Sequence, residues 1–222
     1  MVGIHSTTKM AFTLGIFVSV VCLFPLQCKA EQDSSNSSEI RESEAIEVVN
    51  HFHLVLIDIM KNGPALGFTG RFNQLKPVIL KTFNLSRMAV LSIGPRWYSF
   101  TDDQKDIFFD RFTRYSIASY AYHFRRFNGE RFELIGTRSL PLHERLFVNT
   151  KIITPDQPMP IQLNYLMYYS GTQWQILDIY LAGMISELAT RRSQFSSILS
   201  KQGFDSLITV FDEKIHELSQ DS

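Results

Sequence analysis

The chain has 222 residues, with 22 Lys+Arg, 22 Asp+Glu, 45% hydrophobic and 13% aromatic residues, a composition that excludes global disorder. Zero formal charge leaves no positive surplus to neutralise a phosphate backbone, so nucleic-acid binding is set aside. The length corresponds to one domain with a sizeable core.

Met1 to Lys9 carry one cation and no acid, Met10 to Phe24 form an uncharged run of fifteen, and Pro25 precedes Cys28-Lys29-Ala30. This is the layout of a cleavable signal peptide over residues 1–30, with Cys28 and Ala30 as the small residues before the cut. The run is shorter than the about twenty apolar residues a spanning helix needs; an uncleaved anchor is the alternative. Removing the segment takes away Lys9, Lys29 and both cysteines, leaving two more acids than bases and no thiol. An exported domain of that kind is held by its core rather than by disulfides, which fits a bacterial envelope compartment. Residues 31–38 (EQDSSNSS) read as a flexible leader, and 39–222 as a single domain.

A first helix is expected from about Glu39 to Asn62, with Ile46, Val49, Phe52, Leu56, Ile59 and Met60 on a wide apolar face and Gly63-Pro64 as its stop. A second covers about Gly70 to Thr82, and a third runs from an Asn84 cap to Gly94-Pro95. Thr101-Asp-Asp-Gln104 is a capping box opening the longest helix, to about Arg126, with Phe108, Phe112, Tyr115, Ser119 and Tyr122 on one stripe. After the Asn128-Gly129 turn the period becomes alternating, and four strands are expected at about 131–140, 145–154, 161–170 and 173–181. Their short connections require antiparallel neighbours. Two helices close the chain, Ser186 to Gln202 and Asp205 to Leu218, with Gly203 between them.

Helices, then strands, then helices indicate an α+β domain. The third strand sends Leu163, Tyr165, Met167 and Tyr169 one way and Leu166 and Tyr168 the other, and the fourth also lacks a polar side. A sheet covered on both faces, or curled around a hollow, accounts for this; a solid core is the alternative.

His51 and His53 are two apart, on different helix faces, and cannot share a metal. No HExxH, paired CxxC, glycine-rich phosphate loop or GxSxG elbow occurs, so no cofactor or metal is expected. Asp178 in an aromatic strand is either tied in a salt bridge to an arginine such as Arg192 or a general base in an apolar pocket. Trp97 and Tyr98 are loop pegs or the wall of a ligand site. Arg191-Arg192-Ser193 is a headgroup contact or a solvated helix face with one internal ion pair.

The ordered set Arg71…Leu75…Pro77, Phe83-Asn84 with Met88-Ala89, Gly94…Trp97, Thr101…Gln104…Phe108, Tyr120-Ala121, Trp174…Ile176…Asp178, Gly183…Ile185-Ser186, Arg192-Ser193-Gln194-Phe195 and Gly203-Phe204-Asp205-Ser206-Leu207-Ile208 resembles the MlaC, or toluene-tolerance auxiliary, family of periplasmic lipid-binding proteins. Ile185-Ser-Glu-Leu-Ala189 before Arg191-Arg192-Ser193 is similar to the hopanoid-associated HpnM branch. Asn84, where the family usually has aspartate, departs from the pattern, and the identity of the lipid stays open. The resemblance implies an NTF2-like, twisted four-stranded antiparallel sheet wrapped by about six helices around an apolar tail pocket. It implies a periplasmic carrier, not an enzyme, that moves a phospholipid or hopanoid-related lipid between inner and outer membranes. Its partners would be an ABC-type transporter with an MCE-domain subunit and, in the phospholipid branch, an outer-membrane lipoprotein complex. The implied pocket would be lined by Phe108, Phe112, Tyr115, Phe147, Tyr165, Met167, Tyr169, Trp174, Ile176 and Trp97. The competing readings are a pocket enzyme of isomerase or dehydratase type using Asp178 or His143, and a transporter adaptor that binds no ligand.

Overall fold

A computed structural model describes residues 26–141 and 144–220, with side chains from residue 39 onward. Contacts divide the chain into two units, Met1–Ser37 and Ser38–Ser222, and the second holds the sheet and its helices. Residues 1–25 of the export segment expected over 1–30, and His143, lie outside the described residues. Among the described residues no helix is long and apolar enough to cross a membrane.

Helix α1 (Leu26–Thr82) is followed by α2 (Leu85–Ile93), a short 3-10 helix Gly94–Ser99, and α3 (Asp102–His123). Strands β1 (Arg131–Ser139), β2 (Arg145–Ile153), β3 (Ile161–Tyr169), β4 (Trp174–Leu181) and β5 (Ile185–Ser186) come next, then α4 (Glu187–Lys201) and α5 (Phe204–Gln220). The class is α+β, with a fifth, two-residue strand beyond the four expected. The sheet is an antiparallel meander in the order β1-β2-β3-β4-β5. β5 forms because Tyr180 and Leu181 pair with Ser186 and Ile185 across a tight turn in which Ala182 and Gly183 both take positive φ.

The helix starts follow from local caps. Asn84 accepts from the Arg87 amide at the head of α2. Thr101 and Gln104 satisfy one another reciprocally at the head of α3, and Ser186 accepts from the Ala189 amide at the head of α4. The extent of α1 departs from expectation. Helical backbone covers the stretch read as a flexible leader, consistent with the absence of Gly and Pro between Pro25 and Gly63. It also runs through Gly63-Pro64 and breaks instead at Gly67 (φ 59°, ψ 178°), a conformation essentially confined to glycine. Gly63 serves closeness rather than termination: a β-carbon there would lie 2.0 Å from the Arg125 carbonyl oxygen. Buried Arg71 reinforces the crossing, donating from Nη1 to the Gly63 carbonyl and from Nε to the Ala121 carbonyl, each at 2.7 Å.

Helix α1 packs on one face of the sheet. Directly opposed residues share a face, so the register Leu146↔Met167, Val148↔Tyr165 and Thr150↔Leu163 places these six side chains together. A bulge interrupts β4: Leu166 opposes Asp178 while Met167 opposes Ile176, so Leu177 is the extra residue. The bulge puts Ile176 and Ile179 on the same face, where uninterrupted alternation would separate them. Val49, Phe52, Leu56 and Ile59 of α1 pack into the core containing Tyr165, Met167 and Ile176. The junction of α1 and α2 is tied to β4, the Asn84 amide donating to the Ile176 carbonyl at 3.0 Å.

Candidate functional site

The helical end of the core is closed. Phe108 and Tyr115 of α3 meet Phe195 of α4 and Phe211 of α5 in edge-to-face and tilted contacts of 5.1–6.1 Å, and Phe112 stacks on Phe108 at 5.8 Å, the range in which aromatic pairs attract. Trp97 joins this cluster through Phe108 and Phe100, so it is a peg that holds the 3-10 segment, while its neighbour Tyr98 is exposed. These side chains, expected to line a pocket, instead cement α3, α4 and α5.

The open space lies at the other end of α3. A cavity of about 260 Å³ separates the sheet from the C-terminal turns of α3, walled by Tyr120, Phe124, Leu163, Tyr165, Ile179 and Leu181. Ser119, His123, Glu187 and Arg191 supply its polar margin, and Leu181 and His123 are exposed there. Of the residues expected to line a pocket, Tyr165 lines this one. Met167 and Ile176 share its sheet face but are wholly buried in the core. Tyr169 and Trp174 border a separate surface cavity beside Glu44, Glu47, His51 and Lys81. Phe147 opposes Leu166 and so points to the opposite face from Tyr165, where it packs on Tyr180 and under the Arg138 guanidinium.

Sequence reasoning missed Tyr120, Phe124, Leu163, Ile179 and Leu181. Tyr120 and Phe124 are four apart and stack at 5.7 Å, a helical pair legible from spacing. Leu163 shares parity with Tyr165, whereas Ile179 was hidden by the bulge at Leu177.

Arg191 and Glu187, at the margin of the site, satisfy one another. Arg191 is buried, donates to Glu187 at 2.9 Å and to Ser116 at 3.2 Å, and lies over the rings of Phe112 and Tyr115. It is therefore neither a solvated face nor a free headgroup contact; the apolar surface of α3 draws its guanidinium inward, and Glu187 neutralises it. Glu187 raises the Arg191 pKa against the lowering effect of burial. Exposed Arg192 sits over Gly94.

Asp178 is not paired with Arg192. Its Oδ1 accepts from the amides of Ile179 (2.8 Å) and Leu188 (3.0 Å), and its Oδ2 from the Ser186 hydroxyl at 2.5 Å. Leu188 is in the first turn of α4, where free amides and the helix dipole favour an anion; the backbone supplies what an arginine was expected to supply. Burial raises the Asp178 pKa, while these three donors act the other way. Opposed to Leu166, it faces away from Tyr165 and the cavity, tied rather than free to act as a base.

On the far side of Tyr165, buried His53 lies with Nε2 2.9 Å from the Tyr165 hydroxyl and its ring stacked on Phe132 at 3.9 Å. Burial lowers its pKa to about 3, so the imidazole is neutral at physiological pH and the pair is an uncharged hydrogen bond.

The profile of the MlaC protein family matches residues 53–213, from His53 to near the end of α5. The chain belongs to the MlaC family. Comparison with curated protein sequences gives no match. Among solved structures, the fold is similar to that of a phospholipid-binding protein from Ralstonia solanacearum solved in complex with a phospholipid, with a TM-score of 0.67 and 20% identity over 81% of this chain and 98% of that one. Membership of the MlaC family makes a binding role the frame for the cavity between α3 and the sheet.

Proposed function

We propose that this protein is a periplasmic lipid carrier that takes acyl hydrocarbon of a phospholipid or hopanoid-related lipid into the cavity between α3 and the β3–β4 face. The cavity itself carries the reading: an apolar, aromatic-walled space with a polar margin of Ser119, His123, Glu187 and Arg191, the arrangement that buries hydrocarbon and leaves a headgroup at the rim. The bound phospholipid of the structurally similar Ralstonia solanacearum protein supports it. The chain is exported on residues 1–30, its sheet and helices follow the NTF2-like plan, and no catalysis is required. The HpnM assignment rests on Ile185 to Ala189 and Arg191-Arg192-Ser193 and makes a hopanoid-related lipid a candidate beside phospholipid.

Thermodynamics demands partners. Burying a methylene is worth about 0.8 kcal/mol, so free tails in water are costly by tens of kcal/mol, yet tails are about as comfortable in an apolar pocket as in a bilayer. Exchange between the two is nearly balanced, and direction comes from the machines at either end: an inner-membrane ABC-type transporter with an MCE-domain subunit and an outer-membrane lipoprotein complex.

Mass spectrometry of protein purified from a periplasm tests the carrier reading. Co-purified lipid is expected, and its loss is expected in Leu181→Asp, which puts a charge on an exposed wall residue without disturbing the core. Repeated failure to find or load any lipid would favour the adaptor reading.

A further inference from the structure

A second groove, of about 480 Å³, lies between α1 and β1, lined by Leu54, Ile57, Phe127 and Phe132 with Lys61 and Arg131 at its polar edge. His53 also borders it, and Tyr165 borders the cavity under α3. The hydrogen bond between these two side chains therefore spans the partition between the two spaces. Phe132 on the groove side and Phe124 on the cavity side complete that partition, their ring centroids 6.5 Å apart. The four rings touch in pairs, His53 on Phe132 at 3.9 Å and beside Tyr165 at 5.3 Å, and one neutral hydrogen bond links the two sides.

The cavity alone is too small for a diacyl lipid. At about 260 Å³ it falls below the roughly 300–1,000 Å³ of a typical ligand pocket, and two tails bring roughly thirty methylenes. Space is present on the other side of the His53–Tyr165 pair, and the rings that border both spaces are side chains. Rotation of Tyr165 and Phe132 would join the two spaces without breaking a ladder of the sheet.

We infer that the two spaces are halves of one bipartite tail site divided by the His53–Tyr165 pair, with one acyl chain in the α3 cavity and the second in the α1–β1 groove. This rests on the carrier reading above and assigns the groove, and Ile57, Leu54 and Phe132 within it, to the second chain.

The test compares palmitoyl-oleoyl phosphatidylethanolamine with palmitoyl lysophosphatidylethanolamine, each added to delipidated protein. Filling the groove with Ile57→Trp is expected to weaken the diacyl lipid by about tenfold or more, since exposing two methylenes already amounts to that factor, and to leave the monoacyl lipid unchanged. Equal binding of both lipids to the variant and wild type would overturn the inference. In the unmodified protein, a phospholipid with a photoreactive group at the end of one chain is expected to label peptides from both 54–61 and 120–124. Labelling confined to 120–124 and the β3–β4 face would also overturn the bipartite site while leaving the carrier intact. Binding of neither lipid by wild type would defeat the carrier reading itself.

Discussion

At the scale of single residues, two buried polar groups have opposite jobs. Asp178 secures the first turn of α4 through two amides and a hydroxyl. Asp178→Ala would strand those donors in a dry site, at a cost of about 1–3 kcal/mol. Asp178→Asn keeps an acceptor for the amides and can donate to Ser186, so about 1 kcal/mol is expected. Urea unfolding measures both, and lipid retained per folded molecule should match wild type, whereas a pocket base would make Asn the more informative loss. His53 stays neutral in the fold to about pH 3, while the unfolded chain protonates near its ordinary 6.5. Its contribution is therefore complete above pH 6.5 and is lost progressively as the pH falls toward 3, at up to about 1.4 kcal/mol per unit. The double substitution His53→Phe with Tyr165→Phe removes both partners at similar shape and should flatten the fall in stability between pH 6 and 4 by about 2 kcal/mol; an unchanged slope would place the acid sensitivity elsewhere. The face of Tyr165, which borders the cavity, was legible because its strand has an uninterrupted period of two. Phe108, Phe112 and Trp97 pack on other rings, and an apolar helical stripe such as that of Phe108 and Phe112 looks the same in sequence whether it meets a ligand or other rings.

At the scale of elements, local chemistry was legible and long-range closeness was not. The Thr101–Gln104 capping box, the Asn84 and Ser186 caps and the four main strands lie within a residue or two of their expected bounds, since each depends on neighbours in sequence. Gly63-Pro64 misled because a glycine followed by proline signals a helix end, whereas here the glycine admits the Arg125 carbonyl and the real break comes at Gly67. The two positions should respond differently to alanine. Gly63→Ala drives a methyl into backbone at 2.0 Å, so overpacking of about 1–3 kcal/mol or more is expected, with disturbed α1–α3 packing. Gly67→Ala meets nothing within 4 Å and bears only the backbone strain of its positive φ, about 1–3 kcal/mol. Thermal unfolding gives the magnitudes. Amide exchange separates the mechanisms: loss of protection around residues 121–125 is expected for Gly63→Ala and not for Gly67→Ala. The bulge at Leu177 belongs to the same lesson, because it flips the face of half a strand and leaves no mark in composition or period.

At the scale of the whole molecule, the rigid and open regions are separated along α3. Its first half is fixed by the rings of α4 and α5, and its last turns, Ser119 to Phe124, cover the cavity. Lipid entry should thus move the C-terminal end of α3 and the β4–β5 turn while the aromatic cluster stays intact. Both tryptophans lie off the cavity, Trp97 in the aromatic cluster and Trp174 beside Glu44 and Lys81. Lipid stabilises the folded state by mass action, about 2.7 kcal/mol at a hundredfold excess over Kd, so delipidation should lower the Tm while the intrinsic tryptophan emission maximum barely shifts. A reporter at the cavity wall, Tyr120→Trp, should shift to the blue when lipid is added back, because its indole loses water to hydrocarbon. If instead the native tryptophans responded and the Tyr120→Trp reporter did not, the tails would lie toward Trp174, and the cavity under α3 would lose its assignment.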